Sequence, residues 1–238
     1  MSRSAQGRWQ RVAPNLALLV LLPLLLWLGD WQLDRAEQKR GLVAAHAAAA
    51  ATPPTPYAAA LARFTRVAAA GRWDDAHQFL LDAAVHEGQV GYRVLTPLLL
   101  ADGRWLIVDR GWVPGDPARR APPTIALQSE TAAVTGLIDD FPRAGIALAS
   151  ADPVRDAPWP RVVLYPAVEA LADALGHPVE PVLIRLDPAA ADGYARGFAP
   201  DFGVSRARHL GYAATWFLLA LTLVVLWLRA MFRMRGER

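Results

Sequence analysis

Few side chains in this sequence carry the usual tools of chemistry. The histidines are His46, His77, His86, His177 and His209, and no two stand at the spacing of a helical metal site or within an HExxH motif. Cysteine is absent, which removes disulfides, thiolate zinc sites and cysteine nucleophiles at once. Methionine occurs only at Met1, Met231 and Met234, too little soft sulfur for copper delivery. Asp74-Asp75 and Asp139-Asp140 are paired acids, a pattern that more often marks turns or surface charge than acid–base machinery. There is no Gly-rich phosphate loop and no serine-centred nucleophile elbow. On residues alone an enzyme is the weaker class, and no catalytic residue is assigned.

Two places keep a chemical reading open. His209 stands at the outer mouth of an apolar block, behind Arg206 and Arg208, with Tyr212 and Trp216 in the helix that follows. One role is an interfacial histidine with its polar end in water. The other is an axial ligand to haem iron, because neutral imidazole suits iron and an apolar groove beside aromatics suits a porphyrin. Arg208 could then pair with a haem propionate or simply snorkel. Arg110-Gly111-Trp112 is similarly double: it could close a hairpin over the core, or present a cation and a ring to a partner.

The elements that would hold these residues are set by hydropathy. Hydrophobic residues make up 54% of 238 positions and charged residues 20%, with the apolar surplus in two blocks near the ends. The first, Leu16 to Leu28, needs the stretch through Trp27 and Trp31 to reach the roughly 20 residues that cross a bilayer. Pro23 is tolerable inside such a helix. Arg3, Arg8 and Arg11 would also suit a signal peptide, but Gly29-Asp30-Trp31-Gln32-Leu33 offers no small-x-small cleavage site. The second block, Leu210 to Leu228, carries no charge and is followed by Arg229, Arg233, Arg235 and Arg238. An arginine at the bilayer centre costs about 2.5–3.5 kcal/mol on insertion scales, so these lie outside the core. Arginine-rich tips on both ends place both in the cytoplasm and the middle outside it. The net charge of +3 and pI near 9.7 come without a basic, aromatic-laced stripe, so no nucleic-acid partner is expected.

Between the blocks, residues 30–43 read as a helix emerging from the membrane, followed by an Ala-rich run to Ala51 and the extended spacer Thr52-Pro53-Pro54-Thr55-Pro56. From about Phe64 the pattern turns to β. Gln78–Val85, Tyr92–Leu100 and Trp105–Asp109 are apolar runs split by Glu87-Gly88 and Ala101-Asp102-Gly103, the signature of an antiparallel meander. Ala132–Ile138 and Val182–Leu186 are further strands, and Pro166–Leu175 a helix stopped by Gly176. The expected architecture is a membrane protein with two transmembrane α-helices flanking an extracytoplasmic α+β domain built on an antiparallel sheet. Its order is a cytoplasmic tail (1–11), first span (12–31), helical extension and Ala/Pro-rich linker (32–56), the domain (57–208), second span (209–228) and a second tail (229–238).

Three stretches now carry a resemblance. Gly29-Asp30-Trp31-Gln32-Leu33-Asp34-Arg35, with Lys39 and Leu42 behind, resembles the GxWQLxR segment of the surfeit locus protein 1 family of cytochrome c oxidase assembly factors. Gly91-Tyr92-Arg93-Val94-Leu95-Thr96-Pro97-Leu98 and Val108-Asp109-Arg110-Gly111-Trp112-Val113-Pro114 are similar to its central β region, and His209-Leu210-Gly211-Tyr212-Ala213-Ala214-Thr215-Trp216-Phe217 to its HLxYAxxWF segment. Residues 115–204 match poorly: Asp156-Ala157-Pro158-Trp159 and Arg206-Ala207-Arg208 depart from the family pattern. The resemblance implies a non-enzymatic chaperone of haem–copper oxidase assembly in the inner membrane, bacterial or mitochondrial. It would act at or after insertion of haem a into the catalytic subunit. Implied partners are that subunit and the proteins that make or deliver haem a, and the implied transient cofactor is haem a on His209, beside Arg208, Tyr212 and Trp216. Trp31, Gln32, Arg35, Gly91, Tyr92, Arg110, Gly111 and Trp112 are the implied partner-binding or structural motif residues. The alternative is an anchored extracytoplasmic sensor or ligand-binding module. Such a module would normally feed a cytoplasmic signalling domain, for which the ten positions from Arg229 to Arg238 leave no room.

Overall fold

A computed structural model describes residues 3–118, 121–142, 158–196 and 203–236. The chain divides into two compact units, Met1–Ala44 with Pro200–Arg238, and Ala45–Ala199. Asp156 and Ala157 of the divergent tract lie outside the described residues.

The first unit is a helix pair. Helix α1 runs over Arg3–Ala50 and passes through Pro14 and Pro23 without ending; helix α3 runs over Arg206–Gly236. Within them Val12–Ala50 and Arg206–Arg233 are long and apolar enough to cross a membrane, and only 6% of each apolar window is buried. The buried positions recur at three, four or seven residues, as one helical face requires: Gly29, Gln32 and Ala36 on α1, and His209, Ala213 and Ala220 on α3. Leu19, Val20 and Trp27, and Leu218, Leu221 and Leu226, stay exposed on the other faces. That much exposed apolar surface calls for an apolar medium or partner around it.

The second unit is built from strands β1 (Thr55–Pro56), β2 (Arg66–Trp73), β3 (Phe79–His86), β4 (Gln89–Leu100), β5 (Trp105–Pro114), β6 (Thr131–Asp139), β7 (Arg161–Val163) and β8 (Leu183–Leu186), with helix α2 (Val168–Leu175) between the last two. The sheet order is β1-β2-β6-β8-β5-β4-β3-β7, and β2 also pairs with β4. That last pairing closes β2, β6, β8, β5 and β4 into a barrel. The sheet is therefore not the antiparallel one expected: it is closed and mixed, with parallel pairs at β1–β2, β3–β7 and β5–β8. The physical reason lies in two features that periodicity does not report. After α2 the chain returns as β8 into the gap between β5 and β6, where it runs parallel to one and antiparallel to the other. Closure itself depends on Gly71, which pairs with Ala132 on one side and Leu100 on the other; a Cβ there would collide with the backbone carbonyl of Leu99.

One apolar cluster takes side chains from every strand of the ring, including Val67, Leu98, Leu106, Val108, Val134 and Ile184. It is the barrel interior. The alternate residues Leu95, Ile107 and Leu183 face outward and pack with Phe79 and Val163 under α2, whose Leu171 is fully buried and whose Val168, Ala172 and Leu175 lie against the same cluster. Gly176, in the left-handed conformation (φ 79°), ends α2 with its N–H on the Ala172 carbonyl at 2.8 Å. Strand β5 continues through Gly111-Trp112-Val113 to Pro114 rather than stopping at Asp109. Strand β2 was not expected as a separate strand, and Thr55–Pro56, read as spacer, docks on it.

Candidate functional site

In the helix pair, the local sequence fixes where His209 points. Ser205 precedes α3 and caps it: its hydroxyl accepts the Arg208 N–H at 3.4 Å and its carbonyl the His209 N–H at 3.1 Å. His209 therefore lies in the first turn, on the face shared with Ala213 and Ala220. On α1, Gln32 follows Gly29 by one turn and precedes Ala36 by another. Gly29 lets the helices come close, since a Cβ there would lie 2.5 Å from the Phe217 ring. At that approach His209 Nδ1 and Gln32 Oε1 are 2.7 Å apart, and each residue is only 9% exposed. An amide oxygen only accepts, so Nδ1 is the donor of this contact, and the tautomer that matches it carries its lone pair on Nε2. Further along, Trp227 Nε1 donates to Asn15 Oδ1 at 2.8 Å, which fixes the antiparallel register.

The structure thus joins two expected site residues, Gln32 and His209, in one buried contact. The others of that set are placed less intimately. Tyr212, three residues on from His209, is 51% exposed; Trp216 is half-buried and Arg208 exposed. Trp31 faces outward with the Arg35 guanidinium 5.4 Å above its ring, and Arg35 also donates to Gln38 at 3.0 Å.

In the barrel unit the motif residues face inward. Arg110 is 1% exposed, and its acceptors among the described residues are neutral: the Asp192 carbonyl (2.6 Å), the Ala126 carbonyl (2.7 Å), Gln78 Oε1 (3.2 Å) and Thr96 Oγ1 (3.5 Å). Tyr194 lies 5.0 Å from its guanidinium. Burial draws its pKa below the ordinary guanidinium value. Trp112 donates its indole N–H to the Ala84 carbonyl at 3.0 Å and lies over Gly91, where a Cβ would meet the indole at 2.7 Å. Gly111 (φ 111°) passes against Arg196 and Ala195, and Tyr92 is buried with Leu80 and Val113. Arg110 and Trp112 are thus both buried, with their N–H groups bonded inside this unit.

A second buried system was missed by sequence reasoning. Asp139, expected as turn or surface charge, is 1% exposed; it accepts from Arg63 at 2.7 Å and pairs with Arg185. Asp109, also buried, pairs with Arg93 and accepts the Gly111 N–H at 3.0 Å. Burial, then the charge of Arg93, lowers the Arg185 pKa. The available signal was a charge inside an apolar run, as in Leu183-Ile184-Arg185-Leu186. Asp74 and Asp75 are turn partners of His77 (2.8 Å) and Gln78 (2.8 Å). Among the described residues no three His, Asp or Glu side chains could hold a metal ion together.

The SURF1 family model matches residues 19–221. The chain belongs to the SURF1 family. The matched range takes in Gln32, His209 and the whole barrel, and runs through residues 115–204, where the motif resemblance was weakest. None of the curated proteins matches the chain. SURF1-family membership is consistent with a role in cytochrome c oxidase assembly, and the family is one of assembly factors not known as enzymes. The two apolar helices are compatible with a membrane protein.

Proposed function

We propose that this protein is a membrane-anchored assembly factor for haem–copper cytochrome c oxidase that assists haem a insertion into the catalytic subunit. The observation that carries this reading is the family match over residues 19–221. Both helices cross the inner membrane, their arginine-bearing ends lie in the cytoplasm, and the barrel works in the periplasm, or in the intermembrane space of a mitochondrion. Partners are the catalytic subunit and the proteins that synthesise or deliver haem a.

His209 is the residue offered to the haem. Its donor chemistry fits: a neutral imidazole with the proton held on Nδ1 by Gln32 leaves Nε2 as a ligand. Tyr212 and Trp216, on the same helix, supply aromatic surface for a porphyrin, and Arg208 supplies a cation within one residue of the ligand for a propionate. Haem a, when bound, supplies the iron that the oxidase will use; the chain's own part is to hold it and let it go.

Deleting the gene and measuring haem a per isolated oxidase tests the role. A substoichiometric enzyme is expected, and an unchanged haem a content would sink it. Spectra of the detergent-purified protein from haem-a-producing cells test the ligand: His209→Ala is expected to lose the bound haem, and unchanged haem content would remove His209 from the ligand set.

A further inference from the structure

We propose that Gln32 is the positioning residue of His209, holding the imidazole in the Nδ1–H tautomer so that Nε2 is the nitrogen presented outward. The tautomer stands on the placement of Gln32 Oε1 against Nδ1; its use for iron ligation rests on the reading of His209 given above. The two side chains come from segments 177 residues apart in sequence yet meet at 2.7 Å in a buried contact. Imidazole in water favours the other tautomer, with the proton on Nε2. Left to itself, the ring would therefore offer Nδ1, the nitrogen hemmed in by its own backbone. With the Gln32 oxygen opposite Nδ1 that preference is reversed, because the alternative tautomer would require the amide to turn and donate from its Nε2 instead. Ser205 fixes the start of α3, and Gly29, with a phenyl ring packed over its open side, fixes the approach of α1. The backbones that carry the acceptor and the ring are thus both set in place.

The choice of an amide carries a second consequence. The usual partner behind a metal-ligating histidine is a carboxylate or a backbone carbonyl, and a carboxylate raises the basicity of the ligating nitrogen. An amide oxygen selects the tautomer without adding charge. That arrangement orients a ligand while leaving its bond to iron weak enough to surrender, as a transfer step needs. Gln32 is therefore assigned both the geometry and the moderate strength of the site.

The test uses the full-length protein in detergent without haem. With 15N-labelled histidine, the His209 resonances, assigned by their loss in His209→Ala, are expected to show a protonated Nδ1 and a bare Nε2. In Gln32→Leu they are expected to shift to the protonated Nε2 pattern. A wild-type protein with Nε2 protonated, or a Gln32→Leu spectrum unchanged from wild type, overturns the proposal. If Gln32→Leu does not accumulate, Gln32→Asn, one methylene shorter, carries the same test. Haem release to apomyoglobin then reads the second half: Gln32→Leu is expected to hold haem about 10–100-fold less tightly than wild type, and Gln32→Glu more tightly. Equal release from all three overturns it. The nitrogen spectra need no haem, so a protein whose His209→Ala form keeps its haem would refute the ligand reading and leave the tautomer result standing.

Discussion

The two units bury polar groups in opposite ways. In the barrel, Arg110 reaches four acceptors drawn from Gln78 just before β3, from β4 and from the segments around Ala126 and Asp192. Arg63, Asp139 and Arg185 likewise join residues distant in sequence by charge. In the helix pair, the buried polar contact among the described residues is one bond between Gln32 and His209, near one end of the shared face. Removing one party to a saturated charge system strands several others, whereas a lone neutral pair can be replaced on both sides by apolar groups at little cost. A guanidinium that spends four of its five N–H groups inside the fold keeps little to offer outside it. A ring tied at one nitrogen has the other to offer.

That contrast can be broken by substitution. Arg110→Ala is expected to be the most damaging change, costing about 3–5 kcal/mol because it empties a buried site, takes the donor from the Asp192 carbonyl and leaves Gln78 and the Ala126 carbonyl with Thr96 and Tyr194 alone; urea unfolding of the detergent-solubilised protein measures it, and a loss under about 1 kcal/mol would show that Arg110 is not the tie described. Asp139→Asn is expected to cost about 2–4 kcal/mol by leaving Arg185 and Arg63 without their shared carboxylate, seen as a lower urea midpoint.

A third change sharpens the comparison through pH. Burial, with Glu180 beside it, pushes Tyr57 up to about 12, and its hydroxyl donates to Glu180 Oε2 at 3.2 Å. The folded-state pKa lies above the unfolded value near 10, so the contribution is complete below pH 10 and is lost as pH rises through about 12. Barrel stability should fall over that alkaline window, and Tyr57→Phe should flatten the fall; tyrosinate absorbance during titration places the ionisation. The smallest effect is expected from the double variant Gln32→Leu with His209→Leu, which should keep the helix pair within about 1.5 kcal/mol of wild type. A loss as large as that of Arg110→Ala would erase the distinction between the two units.

The sequence made local structure legible where a pattern repeats within one element. The strand runs of β3, β4 and β5, the turns at Glu87-Gly88 and Asp102-Gly103, and the apolar face of α2 up to Gly176 all follow from period and turn chemistry. Strand β2 did not, because Arg66-Val67-Ala68-Ala69-Ala70-Gly71-Arg72-Trp73 has small residues where alternation would show; of these only Gly71 lies in the stretch that pairs with both β6 and β4. Parallel pairing of β8 with β5 has no local signature at all. At the site, Gln32 and His209 each stood out within a motif, but nothing in either segment says that they touch. The contact arises from the seam of Gly29, Ala36, Ala213 and Ala220, whose smallness reads equally well as ordinary helix composition.

The outermost strands of the sheet have a consequence for the domain's behaviour among other chains. Strand β1 has two residues, one of them Pro56, and β7 has three. Beyond β7, the remainder of β3 carries the register shift between Leu81 and Ala84, with Ala83 at φ 58°. Among the described strands a passing extended peptide finds no long, flat row of free amides to zip onto. Recognition by this domain has to come from side-chain surfaces, and self-association by strand exchange is discouraged at both margins.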